Sequence, residues 1–174
     1  MFSNPYDFPI AKALEDGFPL IRDEYLSSPL SAYRPWKEVS LYGIGWNVLP
    51  MYAFGEPIKE NWDYVPKTLE VLSEFKVVTA AFSRLNANTH IRPHKGYVYH
   101  YDKDSGKLVM ENIDNIIYRI HLGLVVPENC AIRVEKEVKA WEEGKCLMFN
   151  DALEHEAWNR SSKARGVLLV DFEV

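Results

Sequence analysis

The feature that most constrains the fold of this chain is a series of short strand-like segments that begins at Lys76 and continues almost to the C-terminus. The segments cover residues 76–84, 88–94, 97–101, 107–110, 116–126, 130–139, 145–150, 154–159 and 165–173. Several are separated by turn sequences, namely Asp104-Ser105-Gly106, Pro127-Glu128-Asn129 and Glu142-Glu143-Gly144. Many short strands divided by turns are typical of a jelly roll.

The N-terminal part has a different pattern. Residues 8–26 and 61–75 carry apolar positions at roughly helical spacing, and residues 37–54 alternate in a way that predicts two strands around Gly43-Ile44-Gly45. Helices followed by about eight strands predict a mainly β protein, a jelly roll with the N-terminal helices packed on one side. A chain of 174 residues without repeats or linkers is expected to form one domain over 1–174.

Composition excludes several classes of function. The net charge of -5 gives no basic footprint for nucleic acid. No stretch approaches the ~20 apolar residues of a membrane span, and the N-terminus has no secretory pattern, so we expect a cytoplasmic protein. Cys130 and Cys146 lie in or beside apolar runs and are interpreted as small buried hydrophobic residues, without a disulfide or a nucleophilic role.

Strand phase places polar residues on the walls of a pocket. In residues 117–125 a period of two puts Arg119 and His121 on one face, opposite an apolar face of Ile120, Leu122 and Leu124. The same period puts Arg165 and Asp171 on one face of the last strand. Arg165 follows His155 by ten residues, the distance of one hairpin. An arginine there can hold a small carboxylate, although a surface role is an alternative.

Two distant histidines, His94 and His155, are candidate ligands of a divalent transition metal. Facial triads usually have a carboxylate two residues after the first histidine, but this chain has Gly96. Asp151 could supply the missing carboxylate, orient a metal-bound water, or stabilise a turn. A surface or hydrogen-bonded core role is the alternative for either histidine. His90 and His100 are not expected to be ligands.

With these residues identified, the chain resembles the aspartyl/asparaginyl β-hydroxylase family over roughly residues 40–174. The matching stretches, in family order, are Gly45-Trp46-Asn47-Val48-Leu49-Pro50, Pro66-Lys67-Thr68-Leu69, Thr89-His90-Ile91-Arg92-Pro93-His94, Arg119-Ile120-His121-Leu122-Gly123-Leu124, Trp141-Glu142-Glu143-Gly144-Lys145, and Phe149-Asn150-Asp151 through His155-Glu156-Ala157-Trp158.

The resemblance implies a double-stranded β-helix oxygenase that uses Fe(II), O2 and 2-oxoglutarate as cosubstrate, with iron on His94 and His155 alone. It implies a glycine at position 96 and places Asp151 near an iron-bound water. It also implies that Ser83 and Arg165 hold the distal carboxylate of 2-oxoglutarate. Arg119 and His121 are implied to contact the cosubstrate or the substrate.

The resulting hypothesis is a dioxygenase that hydroxylates an unactivated C–H bond of an aspartyl, asparaginyl or related amino-acid-like substrate, small or peptidyl, with Arg119 on its acidic group. The alternatives are a halogenase and a non-catalytic barrel that binds a small anion or a peptide. One departure from the family is an insert between Lys95 and Tyr118, which predicts an extra hairpin beside the metal.

Overall fold

The computed structural model describes residues 1–96 and 118–173. Between these ranges it describes only the backbone of residues 99–102 and 107–110. The helices are α1 (Pro9–Asp16), α2 (Phe18–Ser27) and α3 (Pro66–Leu72). The strands are β1 (Phe2–Ser3), β2 (Arg34–Pro35), β3 (Trp46–Ala53), β4 (Glu56–Pro57), β5 (Val77–Leu85), β6 (Thr89–His94), β7 (Tyr99–Asp102), β8 (Lys107–Met110), β9 (Tyr118–Val125), β10 (Cys130–Val134), β11 (Glu137–Lys139), β12 (Cys146–Asn150), β13 (His155–Asn159) and β14 (Arg165–Phe172).

Two sheets enclose the interior of the protein. The larger sheet has the order β1-β12-β9-β14-β5-β3-β2, with β4 paired to β3, and the smaller sheet has the order β11-β10-β13-β6. The helices cover the outer face of the larger sheet, where Ile120, Leu122 and Leu124 pack into one apolar core. A second core between the two sheets includes Trp46, Phe149 and Val167. This is the predicted mainly β jelly roll with helices on one side.

Three local predictions are wrong at identifiable residues. The helix predicted over 8–26 is two helices, because Gly17 ends α1 and Pro19 near the start of α2 lacks an N–H for a helix interior. The first strand predicted within 37–54 is instead a single 3-10 turn over Val39–Leu41. The strand predicted over 130–139 is the hairpin β10–β11, which turns at Glu135 with φ of 51°.

Other expectations concern the insert, the membrane and the cysteines. β7 and β8 pair as a two-stranded sheet, which confirms the hairpin, whereas its predicted position beside the metal lies outside the described residues, as does the side chain of His100. Among the described residues no helix is long and apolar enough to cross a membrane. Both cysteines are free thiols; Cys130 is buried and Cys146 is half-buried.

Candidate active site

His94 and His155 come together at the end of the smaller sheet. They are directly opposed in the antiparallel pairing of β6 with β13, and their ring centroids are 4.3 Å apart. His94 Nδ1 lies 2.7 Å from the Arg92 carbonyl oxygen, and His155 Nδ1 lies 2.8 Å from that of Leu153. Because a carbonyl only accepts, each Nδ1 carries a proton, so Nε2 is the nitrogen of each ring that a metal could bind.

The charge state of His155 suits metal binding. Burial, together with the neighbouring His94, lowers the pKa of His155 to about 3. The His155 ring is therefore neutral at physiological pH, so a metal does not compete with a proton for its Nε2. Phe149 packs against the ring with centroids 5.1 Å apart and limits its rotation.

Asp151 occupies the volume that a side chain at position 96 would need. A Cβ on Gly96 would lie 1.7 Å from Asp151 Oδ2, and the Gly96 N–H donates to the Asp151 carbonyl at 2.8 Å. Asp151 Oδ1 is also 3.4 Å from His155 Nε2. The Asp151 carboxylate thus lies in the space that a side chain at position 96 would need, beside His155.

Arg119 lies between two buried aspartates. It donates to both oxygens of Asp171, from Nε at 2.7 Å and from Nη2 at 2.8 Å, and its Nη1 is 2.5 Å from Asp151 Oδ1. The latter contact is an ion pair without hydrogen-bond alignment, so among the described groups no hydrogen bond reaches Asp151 Oδ1. Burial raises the pKa of both aspartates more than Arg119 lowers it, because two carboxylates share one guanidinium.

Arg165 is a buried cation without a carboxylate partner among the described residues. It is 2% exposed, its Nη1 donates to the Ser83 carbonyl at 3.3 Å, and its Nε has no partner in the described part of the chain. Burial lowers the pKa of Arg165 to about 10. The Ser83 hydroxyl accepts from Trp46 Nε1 at 3.0 Å, which leaves its own hydrogen free to donate. The pair can therefore bind an anion.

Trp141 fixes the orientation of two of these groups. Its ring lies 4.7 Å from the Arg165 guanidinium, and its Nε1 donates to His121 Nδ1 at 3.2 Å. His121 must then carry its proton on Nε2, which is buried and has no partner among the described groups. Burial, together with Arg119 and Arg165, lowers the pKa of His121, so the ring is a neutral donor.

We expect Trp141→Phe to weaken 2-oxoglutarate binding by about 10-fold, because a lost orienting partner costs 10–100-fold at such sites. The phenyl ring keeps contact with Arg165 but no longer fixes the His121 tautomer. Calorimetric titration of metal-loaded protein measures the affinity, and nitrogen NMR of histidine-labelled protein reports the tautomer. Trp158→Phe is the matched control on the surface, and equal effects of both variants would contradict the orienting role.

The structure thus groups the predicted residues at two adjoining positions. His94, His155 and Asp151 meet at one position with Arg119 behind them, whereas Ser83, Arg165 and His121 surround the other. His90 is excluded from both, since its Nε2 is 2.7 Å from Glu156 on the surface. The sequence prediction missed Trp46, Trp141 and Asp171 as site residues, although Asp171 shares the strand face of Arg165 and Trp141 belongs to a family motif.

Solved structures define the class of fold. A 2OG-Fe(II) oxygenase family protein from Burkholderia pseudomallei superposes with a TM-score of 0.61 at 12% identity, covering 89% of this chain and 77% of that one. A prolyl-4-hydroxylase from Pseudomonas putida gives 0.51 at 13% identity, covering 99% and 91%. The fold is therefore the double-stranded β-helix of such oxygenases.

Sequence comparison then gives the family. The model described as aspartyl/asparaginyl beta-hydroxylase matches residues 15–174, and the chain belongs to that family. An ornithine lipid ester-linked acyl 2-hydroxylase from Rhizobium tropici is 33% identical over 95% of the chain. A human aspartyl/asparaginyl beta-hydroxylase is 33% identical over 93% of it. The chain spans only 57% and 21% of the length of these two relatives.

Proposed function

We propose that this protein is an Fe(II)- and 2-oxoglutarate-dependent dioxygenase that hydroxylates an unactivated C–H bond. The observation that carries the proposal is the combination of two adjacent imidazoles, each held by a carbonyl through Nδ1, and a buried guanidinium that has no carboxylate partner among the described residues. A metal and a dicarboxylate are the two groups that these features would bind. Membership of a hydroxylase family supports the same reaction class.

The side chains present fit these groups. Among the described residues, no set of three or more His, Cys, Asp or Glu side chains is arranged to hold a metal, so His94 and His155 would be its protein ligands. The Asp151 carboxylate, whose Oδ1 contacts Arg119 Nη1, would accept from a metal-bound water, and Arg119 opposes the rise in the pKa of that carboxyl that burial causes. With O2 and 2-oxoglutarate, the bound iron supplies the oxidising chemistry.

The cosubstrate would lie between the two positions of the site. The Arg165 guanidinium and the Ser83 hydroxyl would hold its distal carboxylate, and the His121 Nε2–H would donate to an oxygen nearer the metal. Fully buried apolar side chains such as Phe149 and Val167 exclude water from this region. Exclusion of water strengthens the interaction between a buried cation and a dicarboxylate.

The alternative functions have less support. A halogenase needs room for a halide in place of the triad carboxylate, but the carboxylate of Asp151 fills that volume beside Gly96. A barrel that only binds an anion or a peptide would account for Arg165 but not for two opposed imidazoles that are both held through Nδ1. The anionic ligand of such a barrel remains the second candidate for the Arg165 pocket.

The test of the proposed function is an anaerobic titration of 2-oxoglutarate into Fe(II)-loaded protein. A metal-to-ligand charge-transfer band is expected in the wild type and not in His155→Ala, because the variant removes one of two protein ligands. His90→Ala is the matched control and should keep the band, since His90 contacts Glu156 on the surface. A folded, metal-loaded wild type without the band would overturn the proposal.

The family does not fix the substrate, because relatives at equal identity are named for an aspartyl or asparaginyl substrate and for an acyl group. The sequence predicted an acidic substrate group bound by Arg119. Arg119 already contacts Asp151 and Asp171, so a substrate acid would have to share its N–H groups with these two aspartates.

A further inference from the structure

Asn159 is a fully buried amide at the end of β13. Its Nδ2 donates to three backbone carbonyl oxygens, at 3.0 Å to Leu85, 3.1 Å to Asn86 and 2.7 Å to Lys163. Its Oδ1 accepts from the Ser161 N–H at 3.0 Å. Because carbonyl oxygens surround one end of the amide and a donor meets the other end, only one orientation of the side chain satisfies all of these groups.

These hydrogen bonds join the two sheets of the protein. Asn159 belongs to β13 of the smaller sheet, whereas Leu85 ends β5 of the larger sheet and Asn86 follows it directly. Lys163 lies in the connection that leaves β13 and enters β14 at Arg165. One side chain therefore binds the end of a strand in the opposite sheet and the segment that leads to Arg165.

The candidate site is divided between the same two sheets. His94 and His155 lie on β6 and β13 of the smaller sheet, and Ser83 and Arg165 lie on β5 and β14 of the larger one. A ligand that binds both a metal on the histidines and Arg165 must span from one sheet to the other. The five-carbon chain of 2-oxoglutarate has a fixed maximum length, so the separation of the sheets decides whether both of its ends can bind.

Arg165 lies close to this link in sequence and in space. It follows Lys163 by two residues, and its backbone pairs with Leu85 at the end of the β14–β5 ladder. The buried Cys130 thiol donates to Asn159 Oδ1 at 3.0 Å. The charge of Arg165 opposes the rise in the pKa of that thiol that burial causes, so the amide and the guanidinium both lie near the same thiol.

A buried cation that has no carboxylate partner among the described residues needs a rigid support. The Arg165 guanidinium would gain hydration by moving toward solvent, and Arg165 lies at the end of its strand, where ladders open most readily. The hydrogen bonds of Asn159 oppose that movement, because they tie the end of β5 and the connection before β14 to β13. Loss of this amide should therefore loosen the arginine more than the two histidines, whose strands pair directly with each other.

We propose that Asn159 is a positioning residue that sets the distance between the metal site and the anion site at Arg165. Four strand residues, or about 13 Å, separate Asn159 from His155, so it acts through Arg165 rather than on the metal. The inference rests on the proposed function and adds a residue to its cosubstrate site. Because ligands bind at such sites only when the supporting groups hold them closely in place, loosening Arg165 weakens the binding of a dicarboxylate selectively.

The test compares two ligands that differ only at their distal end. 2-Oxopentanoate has the keto acid and the chain length of 2-oxoglutarate, but it carries a methyl group in place of the distal carboxylate. Both ligands are titrated calorimetrically into metal-loaded wild type and Asn159→Ala. The variant is expected to bind 2-oxoglutarate at least about 10-fold more weakly and 2-oxopentanoate about as tightly as the wild type does. A merely structural role would leave the ratio of the two affinities unchanged.

Asn61→Ala is the matched control for the loss of a buried amide. Asn61 is 5% exposed and donates to the Pro50 carbonyl on β3 at 2.7 Å, away from the Arg165 end of the sheets. It should lower the free energy of unfolding but keep the ratio of the two affinities. If Asn159→Ala changed that ratio no more than Asn61→Ala does, the proposal would be overturned.

A milder variant keeps the proposal testable if Asn159→Ala does not fold. Ser161→Ala removes a hydroxyl that lies 2.7 Å from Asn159 Oδ1 and 2.8 Å from the Lys163 carbonyl oxygen. It should lower the preference for 2-oxoglutarate by a few-fold, and an unchanged preference would count against the role of Asn159.

The wild type separates failure of this inference from failure of the proposed function. A metal-loaded wild type that gives no charge-transfer band with 2-oxoglutarate would overturn both. A wild type that prefers 2-oxoglutarate to 2-oxopentanoate, with the same preference in Asn159→Ala, would overturn only the role of Asn159.

Discussion

Replacing Arg165 with methionine is expected to stabilise the protein and at the same time to weaken the proposed binding of 2-oxoglutarate. The wild-type guanidinium is buried, and no carboxylate of the described residues pairs with it. The depression of its pKa to about 10 corresponds to a cost of about a few kcal/mol for keeping the charged form inside the fold. Methionine fills similar volume without that cost.

The size of both effects follows from the same charge. Exchange of poorly paired buried ions for apolar residues stabilises by about 1–4 kcal/mol, so the ligand-free variant should unfold at higher denaturant concentration than the wild type. Loss of one partner of a buried charge pair costs about 2–5 kcal/mol in binding, so 2-oxoglutarate should bind at least about 30-fold more weakly. Urea unfolding without ligand and calorimetric titration with 2-oxoglutarate measure the two.

Two companion variants make the Arg165 prediction specific. Arg165→Lys keeps a positive charge but cannot form two parallel hydrogen bonds to a carboxylate, so we expect an intermediate affinity. Arg160→Met makes the same exchange on an exposed residue and should change neither stability nor binding markedly. If Arg165→Met destabilised the fold and still bound 2-oxoglutarate like the wild type, the guanidinium would have a structural role instead.

The alternation of strand residues made much of this site predictable from sequence. A period of two placed Arg119 and His121 opposite Ile120, Leu122 and Leu124, and the structure buries the second set under the helices. The same rule put Arg165 and Asp171 on one face. These inferences need only the pleat of a strand, which holds wherever a strand forms.

The partners of these residues depend on strand order, which the alternation does not contain. Asp171 meets Arg119 because β14 and β9 are neighbours with these two residues in register. Trp141 reaches His121 and Arg165 from a connecting segment far along the chain. Such pairs were not derivable from local sequence, so the contacts of Arg119 with Asp151 and Asp171 were not predicted.

Local signals also failed where the turn lacked its usual residues. The β10–β11 hairpin turns at Glu135 and Lys136, which are not turn-forming types, so one long strand was predicted. The opposite error occurred before Gly43, where the alternating pattern had suggested a strand and Val39–Leu41 instead form a single 3-10 turn. Neither error moves a site residue, because both segments lie outside the strands that carry the histidines.

The position of the carboxylate beside the histidines can be tested by moving it from residue 151 to residue 96. Gly96→Asp alone should be destabilising by about 1–3 kcal/mol, because its Cβ would lie 1.7 Å from Asp151 Oδ2 in a packed region. In Gly96→Asp with Asp151→Ala the new carboxylate takes the vacated volume, still beside Arg119. We expect a coupling free energy of about 1–3 kcal/mol between the two changes. The double variant should therefore lose less free energy of unfolding than the two single variants lose together.

The metal affinity of the double variant shows whether that volume adjoins the metal. A carboxylate on the β6 side would give the histidines a third ligand, and Fe(II) affinity measured anaerobically against a chelator should rise by at least about 10-fold. Gly96→Ala with Asp151→Ala relieves the same overlap without a carboxylate, so it should regain stability but not affinity. If the changes in the free energy of unfolding were additive, Asp151 could move away from Gly96 at little cost. If they were coupled but Fe(II) affinity did not rise, the metal would lie away from this carboxylate.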